Sequence, residues 1–568
     1  MPPAFASPHP RRIPGFWLLF AVLTLAAGLG LRDPSPPDEP RFVLAAQHMV
    51  ESGDWLVPMR GREVYAEKPP VFMWLQAASY LVVRDWRVAF LLPSLLAALG
   101  TLWLVWDLAA RLWGPRYAPY AAGALWVCVQ FGLQASRAQI DMVLVLLTTL
   151  SLWGLLRHLL QGPAWRHAWL GAFAAGLGTV TKGVGFLPLL VLLPWLVARR
   201  RLPRGATAGD GWRWGTLVLA FVAGTAVWLG PLAIAVMASE DPGLRAYASE
   251  LLFRQTGERY ANAWHHVKPA WYYLQVIATL WLPGALLLPW LLPAWGRRLR
   301  RGDPRFLLLL GWAILVWLFF SASPGKREVY IFPALPILCV AAAPLLPGLL
   351  RRRAVRATLF GWLLLFSTVF VALGASALLG GHGWAERIAM DRAIDSPDMQ
   401  AFLLWILGLG LAGLALAAWG RLRRIGVALS LFMGLLWMVH GIGLAPALDR
   451  SSSARGLMAE VGRQIDSRAE LGLLAWNEQQ MLQADRPVVD FGYRQPWHRQ
   501  WQRATAWLAA APERRWILLP EPALGPCVDR TQARDVGRAN RSEWWVVPGT
   551  AVREGCVVPP FASTKDAS

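Results

Sequence analysis

A chain of 568 residues that is 56% hydrophobic, contains 34 Trp and has a mean hydropathy of +0.38 is too apolar for a soluble enzyme. Its net charge of +21 would suit a nucleic-acid binder, but the basic residues fall between apolar blocks and not along one soluble face. Membrane topology accounts for them, and no nucleic-acid partner is expected.

Stretches near 14–31, 88–109, 118–135, 142–157, 166–180, 184–198, 214–237, 271–294, 306–322, 328–348, 357–379, 401–420 and 425–446 each approach the ~20 residues that cross a bilayer. They predict an α-helical polytopic protein with about 13 transmembrane helices. Arg11-Arg12, Arg199 to Arg201, Arg297-Arg298, Arg351 to Arg353 and Arg423-Arg424 mark the loops retained inside. The first span reads as an anchor rather than a cleaved signal peptide, because the spans that follow need its orientation. In a bacterium this places the protein in the inner membrane, with loops 32–87, 238–270 and 323–330 and the C-terminus facing the periplasm.

The first outward loop is the richest. Asp38 and Glu39 follow a Pro-rich break, Arg41 comes next, and Phe42, Ala46, Met49 and Val50 recur at helical spacing, so a short helix lies along the interface with Asp38 able to cap it. Tyr65, Glu67 and Lys68 then precede Pro69-Pro70 and a second interfacial helix over 71–83. Charged groups so close to a bilayer are either functional or costly.

Asp141 opens a span and is an i, i+4 partner for Arg137, or else a site residue beside the first loop. Lys182 stands in the turn Thr181-Lys182-Gly183. His265 and His266 are adjacent in a Trp-His-His-Val-Lys-Pro segment; with a carboxylate from Glu67 or Asp38 they would hold a divalent cation, and otherwise they hydrogen-bond to substrate. Lys326 and Tyr330 belong to a further charged turn.

Lysine is scarce: it occurs at 68, 182, 268, 326 and 565 alone, in a chain with 56 basic residues. Where Arg is the default cation, Lys68, Lys182 and Lys326 suggest compact charges for gripping a phosphate. No Walker loop, Rossmann glycine fingerprint, HExxH or GxSxG is present, which argues against chemistry driven by ATP or by cytoplasmic nucleotide sugars.

From Arg450 the pattern becomes that of a small α/β domain spanning 450–568, after a membrane domain of 1–449. Helices are expected at 452–467 and 498–511, and strands at 471–476, 488–489, 516–519 and 544–547. No catalytic set stands out in it. Cys527 and Cys556 share this tail, and their spacing leaves a disulfide open.

Taken in order, the acidic pair, Ser-Gly-Asp-Trp, Glu-Lys-Pro, the second-loop acid, Thr-Lys-Gly, the His-rich loop and Lys-x3-Tyr-x2-Pro-Ala-Leu-Pro resemble bacterial lipid-to-lipid glycosyltransferases. The resemblance is to aminoarabinose transferases that modify lipid A, within the wider protein O-mannosyltransferase family. It runs through residues 30–340, with departures at Pro40, Val267 and Arg327-Glu328. It implies a C-class (GT-C) glycosyltransferase fold, an undecaprenyl-phosphate-linked sugar donor, and lipid A or another envelope acceptor reached from the membrane lipid. It further implies catalytic roles for Asp38, Glu39 and Asp141. Donor-phosphate roles fall to Arg41, Tyr65, Lys68, Lys182, Lys326 and Tyr330, and a metal role to Glu67, His265 and His266. Protein O-mannosyl transfer or modification of another envelope glycan is the alternative activity. A lipid flippase, from a different class, would need charges near the bilayer midplane and an internal repeat.

Overall fold

The computed structural model describes residues 15–199, 211–251, 267–379, 383–553 and 555–558. Among these, seven helices are long and apolar enough to cross a membrane, with 86–113, 140–161 and 211–238 in the first half and 304–322, 353–376, 396–420 and 425–447 in the second. An eighth would be the pair 272–280 and 284–300, bent by 104° at its break. The expected thirteen spans are thus not all reproduced as single long helices. The stretch 118–135, for instance, is split into Ala118–Trp126 and Val129–Ala135.

Burial sorts the helices. In the most apolar window of 140–161, 78% is buried, against 22% for 211–238, so the first forms the core of the bundle and the second faces lipid. Helix Trp165–Lys182 lies between them. Its contact with 211–238 is backbone-close: a Cβ on Gly176 would fall 2.0 Å from the Phe221 carbonyl oxygen, and one on Gly224 would fall 2.2 Å from that of Phe173. Only glycine permits that approach.

The first loop folds onto the end of this bundle. Helix Glu39–Ser52 ends at Gly53, whose φ of 75° suits glycine, and the chain continues through the strand pair β1 (Met59–Arg60) and β2 (Glu63–Val64) into helix Val71–Val83. The 39–52 helix is more enclosed than an interfacial helix should be. Phe42, Ala46 and Met49 are buried as the spacing predicts, but so are Val43 and Ala45, in the core of the bundle, and Leu44, which packs with Trp476 and Leu473 of the C-terminal part.

That part is a five-stranded sheet of order β4-β3-β5-β7-β6, with β3 Glu470–Leu473, β4 Val488–Asp490, β5 Arg515–Pro520, β6 Arg534–Ala539 and β7 Ser542–Pro548. Strands β4, β3 and β5 are parallel, whereas β7 and β6 pair antiparallel. Helix Trp497–Ala509 seals one face with Trp501, which is fully buried. Strand β6 was not expected from Arg-Asp-Val-Gly-Arg-Ala: it is an edge strand, largely polar, with a register shift at Asp535/Gly537. Cys527 and Cys556 are joined by a disulfide.

Candidate active site

Asp38 occupies the N-cap of helix 39–52, yet its side chain makes no capping hydrogen bond. Acids there ordinarily accept from a first-turn N–H, whereas this carboxylate makes its hydrogen bonds elsewhere. Its Oδ2 accepts from Arg327 Nη2 and from Gln139 Nε2, each at 3.2 Å, and its Oδ1 lies 3.9 Å from Arg41 Nη1. Burial pushes its pKa up, but Arg327 and Arg41, with a contribution from Lys182, bring it below the ordinary carboxylate value. At neutral pH it is an anion surrounded by cations.

Its neighbour faces the other way. Glu39 accepts from Arg32 through both oxygens, at 2.5 and 2.7 Å, and also from the backbone N–H groups of Ser35 at 2.8 Å and Ala138 at 2.9 Å. The structure places Glu39, expected as a catalytic residue, among donors of its own and not in the Asp38 cluster. A buried carboxylate with four donors is fully engaged, and what it does is pin segment 136–139 beside the first loop.

Segment 136–139 leads into the helix that carries Asp141. Asp141 pairs with Lys182, not with Arg137, and the Lys182 ammonium also sits 5.4 Å from the centre of the Tyr330 ring. Lys182 lies in the last turn of helix 165–182, where a cation complements the helix dipole, and Gly183 with φ of 78° ends the helix directly after it. Asp141 in turn adds to the field that keeps Arg327 charged.

Lys326, expected on the donor phosphate, is placed inside a turn. Its ammonium is buried and donates to the Ser323 carbonyl at 2.6 Å and the Lys268 carbonyl at 3.3 Å, tying one turn to the segment that begins at Val267. From this turn the cation that reaches Asp38 is the next residue, Arg327. The sequence marked Arg327 only as a neighbour of Lys326 and a departure from the family pattern, because Arg is the default cation in this chain.

The remaining residues form a second, adjoining cluster. Arg41 donates to the Pro37 carbonyl at 2.7 Å and approaches Glu67 Oε2 at 3.6 Å, while Glu67 Oε1 lies 3.3 Å from Arg60 Nη2 and 3.5 Å from Arg494 Nη2. Tyr65 is buried with Arg60 above its ring at 5.2 Å, and burial raises its phenol pKa so that it stays protonated. Lys68 is half-buried, and its charge is among those that hold Glu67 ionised against the effect of burial.

Among the described residues no group of three His, Cys, Asp or Glu is placed to hold a metal ion. Glu67, already in contact with three guanidinium groups, is electrostatically a poor ligand for a divalent cation, and His265 and His266 lie outside the described residues.

The C-terminal sheet reaches this cluster. Asp490 Oδ2 accepts from the Arg62 N–H at 3.2 Å, and Arg494 donates its N–H to Glu63 at 3.0 Å and pairs with Glu250 at 3.3 Å. Gly61, with φ of 60°, lets the β1–β2 turn fit beneath Asp490, since a Cβ there would meet its carboxylate at 2.9 Å. Glu478 and Tyr493 contact Arg60 itself. The sequence showed no catalytic set in this region, and its contribution became visible only once chain segments 400 residues apart were brought together.

A bundle of long apolar helices, a charged loop layer on one end and a sheet docked over that layer make up the fold of the C class of membrane glycosyltransferases. The fold is shared with ArnT from Cupriavidus metallidurans, solved bound to undecaprenyl phosphate, at a TM-score of 0.70 and 21% identity over 94% of this chain and 98% of that one. Residues 67–228 match the dolichyl-phosphate-mannose-protein mannosyltransferase family, and residues 261–389 match the Alg9-like mannosyltransferase family.

Among individual relatives, the undecaprenyl phosphate-α-4-amino-4-deoxy-L-arabinose arabinosyl transferase 2 of Sodalis glossinidius is 30% identical over 451 residues, covering 73% of this chain and 75% of its own length. The enzyme of that name from Pseudomonas fluorescens is 32% identical over 343 residues, covering 58% of this chain and about half, 54%, of its own. The chain belongs to the family of undecaprenyl phosphate-aminoarabinose arabinosyl transferases.

Proposed function

We propose that the protein transfers 4-amino-4-deoxy-L-arabinose from an undecaprenyl-phosphate donor to a phosphate of lipid A, with inversion, at the periplasmic face of a bacterial inner membrane. The observation that carries the proposal is the placement of Asp38. Its carboxylate is released from helix capping, kept ionised, and set between Arg327, Arg41 and Gln139 in a chain of this family. The position of the Arg clusters supports the orientation.

In the transfer, the bond between the anomeric carbon and the donor phosphate oxygen breaks and a bond to an acceptor oxygen forms. Negative charge collects on the departing undecaprenyl phosphate, where Arg41, Lys68 and Lys182 stabilise it. A lipid A phosphate is already an anion, so it needs no strong base, and Asp38 then orients the reacting groups; for a hydroxyl acceptor Asp38 would take the proton. Tyr65, protonated, supplies a hydrogen-bond donor on the phosphate side. No step is assigned to a metal ion.

Purified protein given undecaprenyl-phosphate aminoarabinose and lipid A should release undecaprenyl phosphate and form aminoarabinosyl lipid A in equal amounts. Consumption of donor with no sugar on lipid A would reject the acceptor. Lys68→Ala should weaken donor binding by about tenfold or more, the usual cost of losing one charge-assisted phosphate contact, and an unchanged donor affinity would remove Lys68 from the phosphate site.

A further inference from the structure

Four charged side chains at the Tyr65–Lys68 end of the site form a closed ring of alternating sign. Glu67 touches Arg41 at 3.6 Å and Arg60 at 3.3 Å, and Glu478 touches Arg60 at 3.2 Å and Arg41 at 3.9 Å. Three members come from the first loop and its helix. The fourth is carried by the C-terminal sheet domain, at the start of helix Glu478–Leu482, where the Asn477/Gln480 capping box fixes the turn. Both Glu478 and Arg60 are buried, and the Arg60 guanidinium stacks 3.9 Å from the centre of the Tyr493 ring, also from the C-terminal domain.

We propose that Glu478 is a positioning residue for donor-phosphate binding, acting through Arg60 and Arg41, so that the C-terminal domain completes the site and does not merely cover it. The proposal rests on the function given above. Its physical basis is competition: Arg41 and Arg60 share Glu67 and Glu478, each held by both, while Arg494 also reaches Glu67. Without the Glu478 charge, Arg60, which is the more deeply buried, draws Glu67 toward itself, and Arg41 loses both anionic partners on that side while keeping Asp38. Arg41 is the ring member that also touches Asp38, so its displacement changes the cation presented to the phosphate.

The test is binding of undecaprenyl phosphate to full-length protein in detergent, read by titration, with turnover measured in parallel. Glu478→Gln should raise the dissociation constant by about tenfold or more, with the acceptor KM within about twofold of wild type, and Glu478→Asp should recover most of the loss. An equal affinity in wild type and Glu478→Gln overturns the proposal, as does an acceptor KM that rises in step with the donor constant. If Glu478→Gln does not yield folded protein, Tyr493→Leu, which removes the stacking face without stranding a charge, is read by the same criteria. Wild-type protein that binds no undecaprenyl phosphate would instead defeat the functional proposal.

Discussion

Asp38→Asn should lower turnover by about 10²–10⁴-fold while leaving the protein inserted and monodisperse. The substitution keeps the shape and one acceptor oxygen, so Gln139 can still donate, but it removes the anion that Arg327 and Arg41 are arranged around. Folding is spared because the side chain caps no helix and bridges two segments that other contacts also hold, Glu39 to Ala138 on one side and Lys326 to Ser323 and Lys268 on the other. The pH dependence follows from the direction of its shift. With the Asp38 pKa held below the usual value, the anion persists as pH falls past the point where an exposed carboxylate would protonate, and activity is lost only on titration through that lowered value. Undiminished turnover by Asp38→Asn would remove Asp38 from the chemistry, and an acid limb well above the ordinary carboxylate range that disappears in this variant would overturn the lowered pKa.

Glu39→Ala should act on stability, at a cost of about 3–5 kcal/mol. It strands the Arg32 guanidinium, which is buried, and leaves the Ser35 and Ala138 N–H groups without their acceptor. The Glu39 pKa is lowered: burial opposes ionisation, and Arg32 together with those two N–H groups outweighs it. A group with a depressed folded-state pKa contributes stability above its unfolded value, roughly 4.3, that fades as pH falls through the folded one. Wild type should thus lose this contribution at acid pH and the variant should have none to lose. Thermal unfolding in detergent at pH 7, and over a series of pH values falling well below the unfolded-state value, reads both effects, and a Glu39→Ala protein as stable as wild type but inactive would restore the catalytic role.

The contrast between these adjacent acids explains where sequence reasoning stops. Asp38 and Glu39 are equally acidic and consecutive, but successive helical positions point about 100° apart, so one can face a pocket and the other the interior. Nothing in the residue types says which. Asp141 and Lys182 each stood out as a charged residue at the end of an apolar span, but the partner the sequence offered Asp141 was Arg137, and only the fold shows that it pairs with Lys182. Lys326 stood out for its rarity, yet rarity describes the residue and not its direction. Glu478, Tyr493 and Arg494 were invisible because their significance lies in contacts to Arg60, Glu63 and Glu67, which no local pattern encodes. The fold was easier to read, since long apolar blocks and alternating strands announce themselves. Its misses were the spans broken into shorter helices and the polar edge strand β6, where composition departs from the element's norm.

The most direct measurement of the central claim is mass spectrometry of lipid A from cells expressing wild-type protein, Asp38→Asn or neither, with undecaprenyl-phosphate aminoarabinose present in all three. The account predicts an aminopentose on a lipid A phosphate in the wild-type cells alone. Identical lipid A in all three, with the protein inserted and the donor detected, would contradict it.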